Sequence, residues 1–505
     1  MTANLDLSLL SIPFQLAFRH CRLGVIELQQ AEVSQLDLEG SLVRATKADR
    51  LRAIKADSLI VKTNVALRHG FNAQGEVGFP FAQIGGILDC SGGTFTNPPQ
   101  VDAQGKHVEM SGSALSADGI NVRGSVFLGE GFIAHGEVRF PLAQIDGYLD
   151  CSGGTFTNPN QKGAQGGGRA LNATGINVKG HVMLSKQFTA DGGKEFTANG
   201  EVNLGGAQIG TLLDCTNGNF ENATLDLRDV SAASLWDSGL NDPVGKVTDS
   251  AITNITKWPQ QCNLLLDGFV YGRISSGGNI NAKKRLDWLR LLPGKPFRRQ
   301  PYLHLAKVLQ DSGDSDGALR VRVKMEELSR SSEAGGEPSS KWLNKIIRPI
   351  RIGIAWLWSW FLRVSIGYGY YPKRALGFII LLSALGCIVY DRSYYAGTMV
   401  PTDEKAYAKF TDPTTEQQVP PHYLSFSSFV YSVENSLPLV KLGQGEKWQP
   451  YPGTEAPEWQ ALFTSRFGTS PRFVRTFLRI QILLGWLFAT LFLAGVSGIV
   501  HKEKA

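Results

Sequence analysis

The chain has 505 residues, 43% hydrophobic and 19% charged, which supplies a large core and leaves too little charge for a disordered polymer. A net charge of +6 argues against a whole-chain nucleic-acid binder, and six cysteines without a C-x-x-C pair exclude a disulfide scaffold. Glycine is in excess at 56 residues but follows no Gly-X-Y period, which excludes collagen.

Met1–Leu10 carries no Lys or Arg ahead of its apolar stretch and includes Asp6, so it reads poorly as a secretory signal. The N-terminal part is therefore expected in the cytosol, with residues 1–20 as an amphipathic cap over a first coil.

Internal repetition dominates residues 21–280. QGEVGFPFAQIGGILDCSGGTFTN (74–97) recurs as HGEVRFPLAQIDGYLDCSGGTFTN (135–158) and as NGEVNLGGAQIGTLLDCTNGNFEN (199–222). Inside each unit, apolar pairs two residues apart recur every five or six residues, with Gly or Asn between them. Short strands joined by tight corners predict a mainly β fold here, a β-helix or solenoid. At about 20–22 residues per coil, each long unit is expected to hold about three coils. Cys90, Cys151 and Cys215, separated by 61 and 64 residues, would then stack inside about 14 Å apart, beyond disulfide or shared-metal reach. Asp89, Asp150 and Asp214 precede them and are expected to point outward as an acidic ladder.

From residue 281 the spacing becomes helical. RLDWLRLLPG, QPYLHLAKVLQDSG and SDGALRVRVKMEELSR predict a small helical hairpin over 281–330, with Gly313 ending one helix and Asp314 or Ser315 capping the next. One hairpin cannot bury its own face, so it should pack on the solenoid end. SSEAGGEPSS then reads as a linker, 331–340.

Residues 341–374 carry seven basic residues and no acidic one. Their apolar run is too short to span, so the segment predicts an amphipathic helix in the headgroup region. Its anchors are Lys341, Trp342, Lys345, Arg348, Arg351, Trp356, Trp358, Trp360, Lys373 and Arg374, and its partner is a bilayer with anionic headgroups. Transmembrane helices are expected at 375–390 and 477–500. Between them, residues 391–476 form an extracytoplasmic loop by the positive-inside rule, although Arg466, Arg472, Arg475 and Arg479 run against it. Within the loop, 423–440 alternates apolar and polar faces. It reads either as an amphipathic helix on the outer surface or as a re-entrant helix lining a pore with Ser428, Ser432, Glu434 and Asn435. Span, dipping helix, span is the plan of a simple cation channel. The filter-like Ser365-Ile366-Gly367-Tyr368-Gly369 stands ahead of the first span and reads as a turn into the membrane.

The LDCSGGTF repeats, LLLDGFVYGRI (264–274), RLDWLR (285–290), QPYLHLAKVL (300–309) and GYGYYPKRAL (367–376) together resemble a bacterial family of pentapeptide-like β-helical proteins with two C-terminal membrane spans. Members are often labelled membrane-associated oxidoreductases. The resemblance implies this architecture rather than a reaction. The repeats depart from the strict pentapeptide pattern, and no dinucleotide fingerprint, haem motif, zinc helix or nucleophile elbow is present. No catalytic, cofactor or metal residue is assigned.

The sequence leaves three functional classes. The first is a membrane-anchored, non-catalytic β-helix in the cytoplasm, presenting its repeat surface to a protein partner or signal. The second is an oligomeric, channel-like pore gated by the β-helix, for which two spans per chain require a homo-oligomeric ring. The third is the enzyme of the family label. Nucleic acid is disfavoured as a partner, because the basic segment 283–324 has no recognised binding fold or stacking surface.

Overall fold

The computed structural model describes all residues except 1–3, 46–50, 98–111, 159–167, 189–192, 238–255, 261–262, 277–280, 335–352, 354–356, 359, 413–418, 438–439, 454–469 and 498–505. The chain divides into two compact units, Met1–Met325 and Glu326–Ala505.

The first unit is a solenoid of short parallel strands in a 16-stranded and a 15-stranded sheet, each following the coil around two adjoining sides. Along the first side, Leu5, Ile26, Ile54, Val77, Leu115, Val138, Leu171, Val202, Leu225 and Leu264 lie in one register. The second side aligns Val33, Val61, Ile84, Val122, Ile145, Val178 and Ile209, and the third aligns Leu36, Val65, Leu88, Val126, Leu149, Val182 and Leu213. These inward rows are almost all fully buried. The strands are short because only one or two residues per side face the axis before the chain must turn.

The long sequence unit holds two coils, not three. From Val77 to Leu115 is 38 residues and from Leu115 to Val138 is 23, which together make the 61-residue repeat. The two coils differ at the corner between the fourth and first sides. Short coils turn there on one glycine, Gly75, Gly136 or Gly200, at φ 122°, 126° and 125°. That region is closed to a Cβ, which at Gly136 would lie 2.6 Å from the Asn97 carbonyl oxygen. Long coils carry extra residues at the same corner. The recurring G-E-V is thus a corner signature, and Cys90 and Cys151 are separated by one intervening rung, Leu128, or about 10 Å.

The fourth side carries an aromatic column. Phe71, Phe95, Phe132, Phe156, Phe196 and Phe220 stack with centroids 5.1 to 5.4 Å apart, and Trp258 and Trp288 extend the column. In long coils the ring comes from the inward rung itself, as at Phe95 and Phe156. In short coils that rung is Ala73, Ala134 or Ala198, and the ring comes from two residues earlier. Large and small residues therefore alternate along the row. The second glycine of S-G-G-T-F makes room for the ring: a Cβ on Gly93 would sit 2.9 Å from Phe95 Cε2 and 2.8 Å from the Leu67 carbonyl oxygen.

Residues 4–20 do not form a separate cap. Leu5–Asp6 pairs with Ile26–Glu27 and Ser11–Ala17 with Glu32–Asp37, so the segment is itself the first coil. Leu5, Ile12 and Leu16 align with Ile26, Val33 and Leu36 of the next coil, while the exposed Leu9, Leu10 and Phe14 gave the segment its amphipathic look.

The other end is closed by helices α1 (Ala282–Leu289) and α2 (Gln300–Asp311). Gln300 Oε1 accepts from the Gly268 N–H at 3.1 Å, and its Nε2 donates to the Phe269 carbonyl. One turn on, His304 Nε2 accepts from the Tyr271 N–H at 2.9 Å. The i, i+4 pair thus satisfies the open edge of the last coil. Arg285 of α1 forms a buried two-point ion pair with Asp237, at 2.6 and 2.8 Å. Helix α3 (Ser315–Ala334) follows Gly313, and Asp314 Oδ1 accepts from the Gly317 N–H at 2.8 Å.

The second unit contains α4 (Lys373–Tyr395), α5 (Glu404–Phe410), α6 (Ser428–Ser436), α7 (Gln444–Lys447) and α8 (Pro471–Val496). Helices α4 and α8 are long and apolar enough to cross a membrane. At 1.5 Å per residue they run roughly 34 and 39 Å against a hydrocarbon core of about 30 Å. Beyond the end of α4, Met399–Pro401 pairs antiparallel with Trp448–Pro450 over a core of Tyr390, Phe410, Tyr431 and Trp448.

Candidate functional site

Helices α4 and α8 carry an aliphatic outward surface. Ile380, Leu381, Leu385 and Ile388 of α4 and Ile480, Leu483, Trp486 and Leu493 of α8 are exposed. The buried positions mix apolar Ile379, Leu382, Val474 and Phe488 with Gly386, Tyr390 and Ser393 on α4 and Gln481 and Gly485 on α8. In water this would place the aliphatic surface on the wrong side. In lipid an aliphatic outer surface is the expected arrangement, and small and polar residues are admitted inside.

Helix α6 packs against both α4 and α8. It starts at Ser427, whose Oγ accepts from the Val430 N–H, and ends at Leu437, which is extended ahead of a proline. Its inner side holds Tyr431, Ser432 and Ser436. The Ser432 hydroxyl donates to the Ser383 carbonyl of α4 at 2.7 Å. Gln481 Nε2 lies 2.9 Å from Ser432 Oγ, 2.8 Å from Ser436 Oγ and 3.2 Å from the Ser432 carbonyl. Its Oε1 accepts from the Tyr390 hydroxyl at 2.5 Å. Gly386 and Gly485 permit this approach: a Cβ on Gly386 would sit 2.5 Å from Gln481 Nε2, and one on Gly485 would strike the Ser436 backbone. Ser383, Gly386, Gln481 and Gly485 all lie near the middle of their helices. Helix α6 therefore reaches the mid-length of both long helices and does not lie across their ends.

The four residues expected to line a pore are engaged within this unit. Ser432 belongs to the network above. Glu434 Oε2 accepts from the Gln444 and Gly445 N–H groups at 2.8 and 3.1 Å, bracing the start of α7. Asn435 Nδ2 donates back to the Tyr431 carbonyl, and Ser428 Oγ donates to Asp391 Oδ1 at 3.3 Å. What α6 leaves exposed is Phe429 and, after its end, Val440 and Leu442.

Gly367–Gly369 is a turn with φ of 53°, 57° and 94°, leading directly to α4, with Arg330 stacked 4.9 Å over the Tyr368 ring. Among the expected interface anchors, Trp358 and Trp360 are exposed, and Lys373 and Arg374 open α4. Lys341, Trp342, Lys345, Arg348, Arg351 and Trp356 lie outside the described residues.

Sequence reading missed Gln481, Tyr390, Ser383 and the two glycines. Gln481 was legible as the one amide near the start of a 21-residue uncharged run, but nothing in the linear chain showed that Ser432 and Ser436 would meet it.

On the solenoid, the aspartates form no continuous ladder. Asp89, Asp150 and Asp214 alternate along the third side with Ala66, Phe127 and Met183. Each folds back to accept the N–H two residues on, at 3.0, 2.8 and 2.8 Å, so they are corner residues. Burial pushes the thiols of Cys90, Cys151 and Cys215 well up, leaving them inert core groups.

Together these features define a two-part protein: a parallel β-solenoid followed by a helical unit with two long apolar helices and a short helix between them. No family model, curated protein or solved structure matches the chain.

Proposed function

We propose that the chain is a cytoplasmic-membrane protein whose helical unit assembles as an oligomeric, channel-like pore, with the β-solenoid as its cytoplasmic sensing or assembly domain. The carrying observation is α6, held at the mid-length of α4 and α8 by Gln481, Ser432 and Ser436. If α4 and α8 span, α6 is a re-entrant half-helix, and irregular backbone at that depth is tolerated only beside protein or a water-filled cavity. The segment after α6, braced by Glu434, is what would face a shared axis. In this reading the solenoid is of the pentapeptide-like kind, with five or six residues per side. Residues 341–374 lie in the headgroups of an anionic leaflet, and residues 391–476 form the extracytoplasmic loop from which α6 dips back into the bilayer.

The test is cation flux through liposomes carrying the full chain, with Glu434→Ala as the variant. Flux that Glu434→Ala alters while insertion stays intact supports the pore. A monomeric particle, or wild type that inserts and does not conduct, refutes it. A second reading, a membrane-anchored module that binds a partner through its repeat surface, is favoured by an exposed strip on the second side of the solenoid.

A further inference from the structure

The outward row on the second side is a column of amides. Gln83, Asn121, Gln144, Asn177 and Gln208 occupy five successive rungs in direct register. They are exposed or half-exposed, and none has a side-chain hydrogen bond among the described residues. Beside them runs a corner row whose backbone is left-handed throughout. Glycine takes that conformation at Gly119, Gly175 and Gly206, but Phe81 and Leu142 adopt it at φ 56° and 57°. A bulky residue there costs on the order of 1–3 kcal/mol. Each lies over the glycine of the next coil, with Phe81 Cδ1 2.9 Å from where a Gly119 Cβ would stand and Leu142 Cδ2 2.8 Å from the Gly175 equivalent. Both side chains are nonetheless 68% exposed. The strip thus accepts backbone strain and displays apolar groups beside unused amides.

On the far side of the amide column the rungs read Gly85, Arg123, Asp146 and Lys179. Lys179 Nζ pairs with Asp146 at 2.7 Å, and Arg123 has no ion-pair partner among the described residues. This order is self-complementary under one operation. A two-fold axis parallel to the strands, passing between the Asn121 and Gln144 rungs, sets Arg123 against the partner's Asp146 and Gly85 against the partner's Lys179. The same axis sets Asn121 against the partner's Gln144 and Gln83 against its Asn177, leaves Gln208 over the exposed Ile60, and sets Phe81 against the partner's Gly175 and Leu142 against its Gly119. The alternative axis, along the solenoid through the amide column, would set the charged row against the corner row, placing Arg123 over the partner's Gly119 and away from any acid. We propose that the second side of the solenoid is a homodimer interface in which two copies pack with antiparallel coil order. This does not depend on the pore.

The full chain in detergent, with Cys21, Cys262 and Cys387 replaced by Ser, tests it. Differently tagged Asn121→Cys and Gln144→Cys chains are mixed and oxidised. The antiparallel interface gives a disulfide between the two tags at least roughly tenfold over Asn121→Cys with itself. Arg123→Glu on both chains abolishes it, and adding Asp146→Arg restores it. Absence of the mixed disulfide, preference for self-pairing, or indifference to Arg123→Glu overturns the proposal, whether or not the protein conducts ions.

Discussion

Replacing Gln481 with Leu probes the contact that seats α6. The substitution removes one acceptor for the Tyr390 hydroxyl and three contacts from Nε2 to Ser432 and Ser436. The amide nitrogen has two hydrogens to share among those contacts, so with the Tyr390 bond three hydrogen bonds are at stake; at about 0.6 kcal/mol each on average in membranes they sum to about 2 kcal/mol. Leucine regains little, because lipid offers no hydrophobic drive. Tyr390 also loses its partner in a closed core, which adds to the cost. For a unit of this size, about 2 kcal/mol should lower the thermal midpoint by several degrees. The assay is thermal unfolding of the full chain in detergent, read by fluorescence, together with protease cleavage of the loop around α6. Leu483→Ala, at a residue of the same helix that is 69% exposed, is the control and should change neither. If Gln481→Leu unfolds at the wild-type midpoint with α6 equally protected, the network does not hold α6 and the reasoning fails.

The solenoid yields further expected outcomes. Phe156→Ala removes the ring between Phe132 and Phe196, fully buried in the column, and should cost about 3–5 kcal/mol, measured by denaturant unfolding. Gly136→Ala should destabilise by over ~1 kcal/mol because φ 126° and the nearby Asn97 carbonyl exclude a Cβ, whereas Gly294→Ala, in open space, should not. Burial holds His304 below its ordinary pKa, so the unfolded chain takes the proton first as pH falls below about 6.5. The His304 contribution is therefore full above that pH and lost on acidification. A stability gap between wild type and His304→Gln that stays constant from about pH 7.5 to about pH 5 would contradict this. Native Cys90, Cys151 and Cys215 should resist a polar thiol reagent until the solenoid opens, and rapid labelling of all three would count against their placement.

Periodicity made the solenoid legible, because each stacked rung repeats the same inward pair, and both long helices were legible because each contains a plain uncharged run. Coil number was misjudged because the sequence repeat is set by alternating corners. Gly136 closes one coil with a single residue, while the next coil takes an inserted segment at the same place, so equal coil lengths were the wrong assumption. The first coil was missed although Leu5 and Ile12 stand 21 residues ahead of Ile26 and Val33, because the segment lacks the G-E-V and S-G-G-T-F corner residues that mark the later coils. In the helical unit, Ser432 and Glu434 were singled out as candidate pore-lining residues. Their partners, Gln481 and the Gln444 N–H, lie 49 and 10 residues away, and that pairing is a product of packing alone.

The depth of α6 is the point on which the functional account turns. Spin labels placed singly from Ser428 to Leu437 in the reconstituted full chain, read by their relative accessibility to oxygen and to a polar relaxing agent, measure it directly. The account predicts depth increasing along the helix, from the headgroup level near Phe429 to the bilayer centre near Ser436. A profile that stays at headgroup or aqueous depth throughout would contradict it.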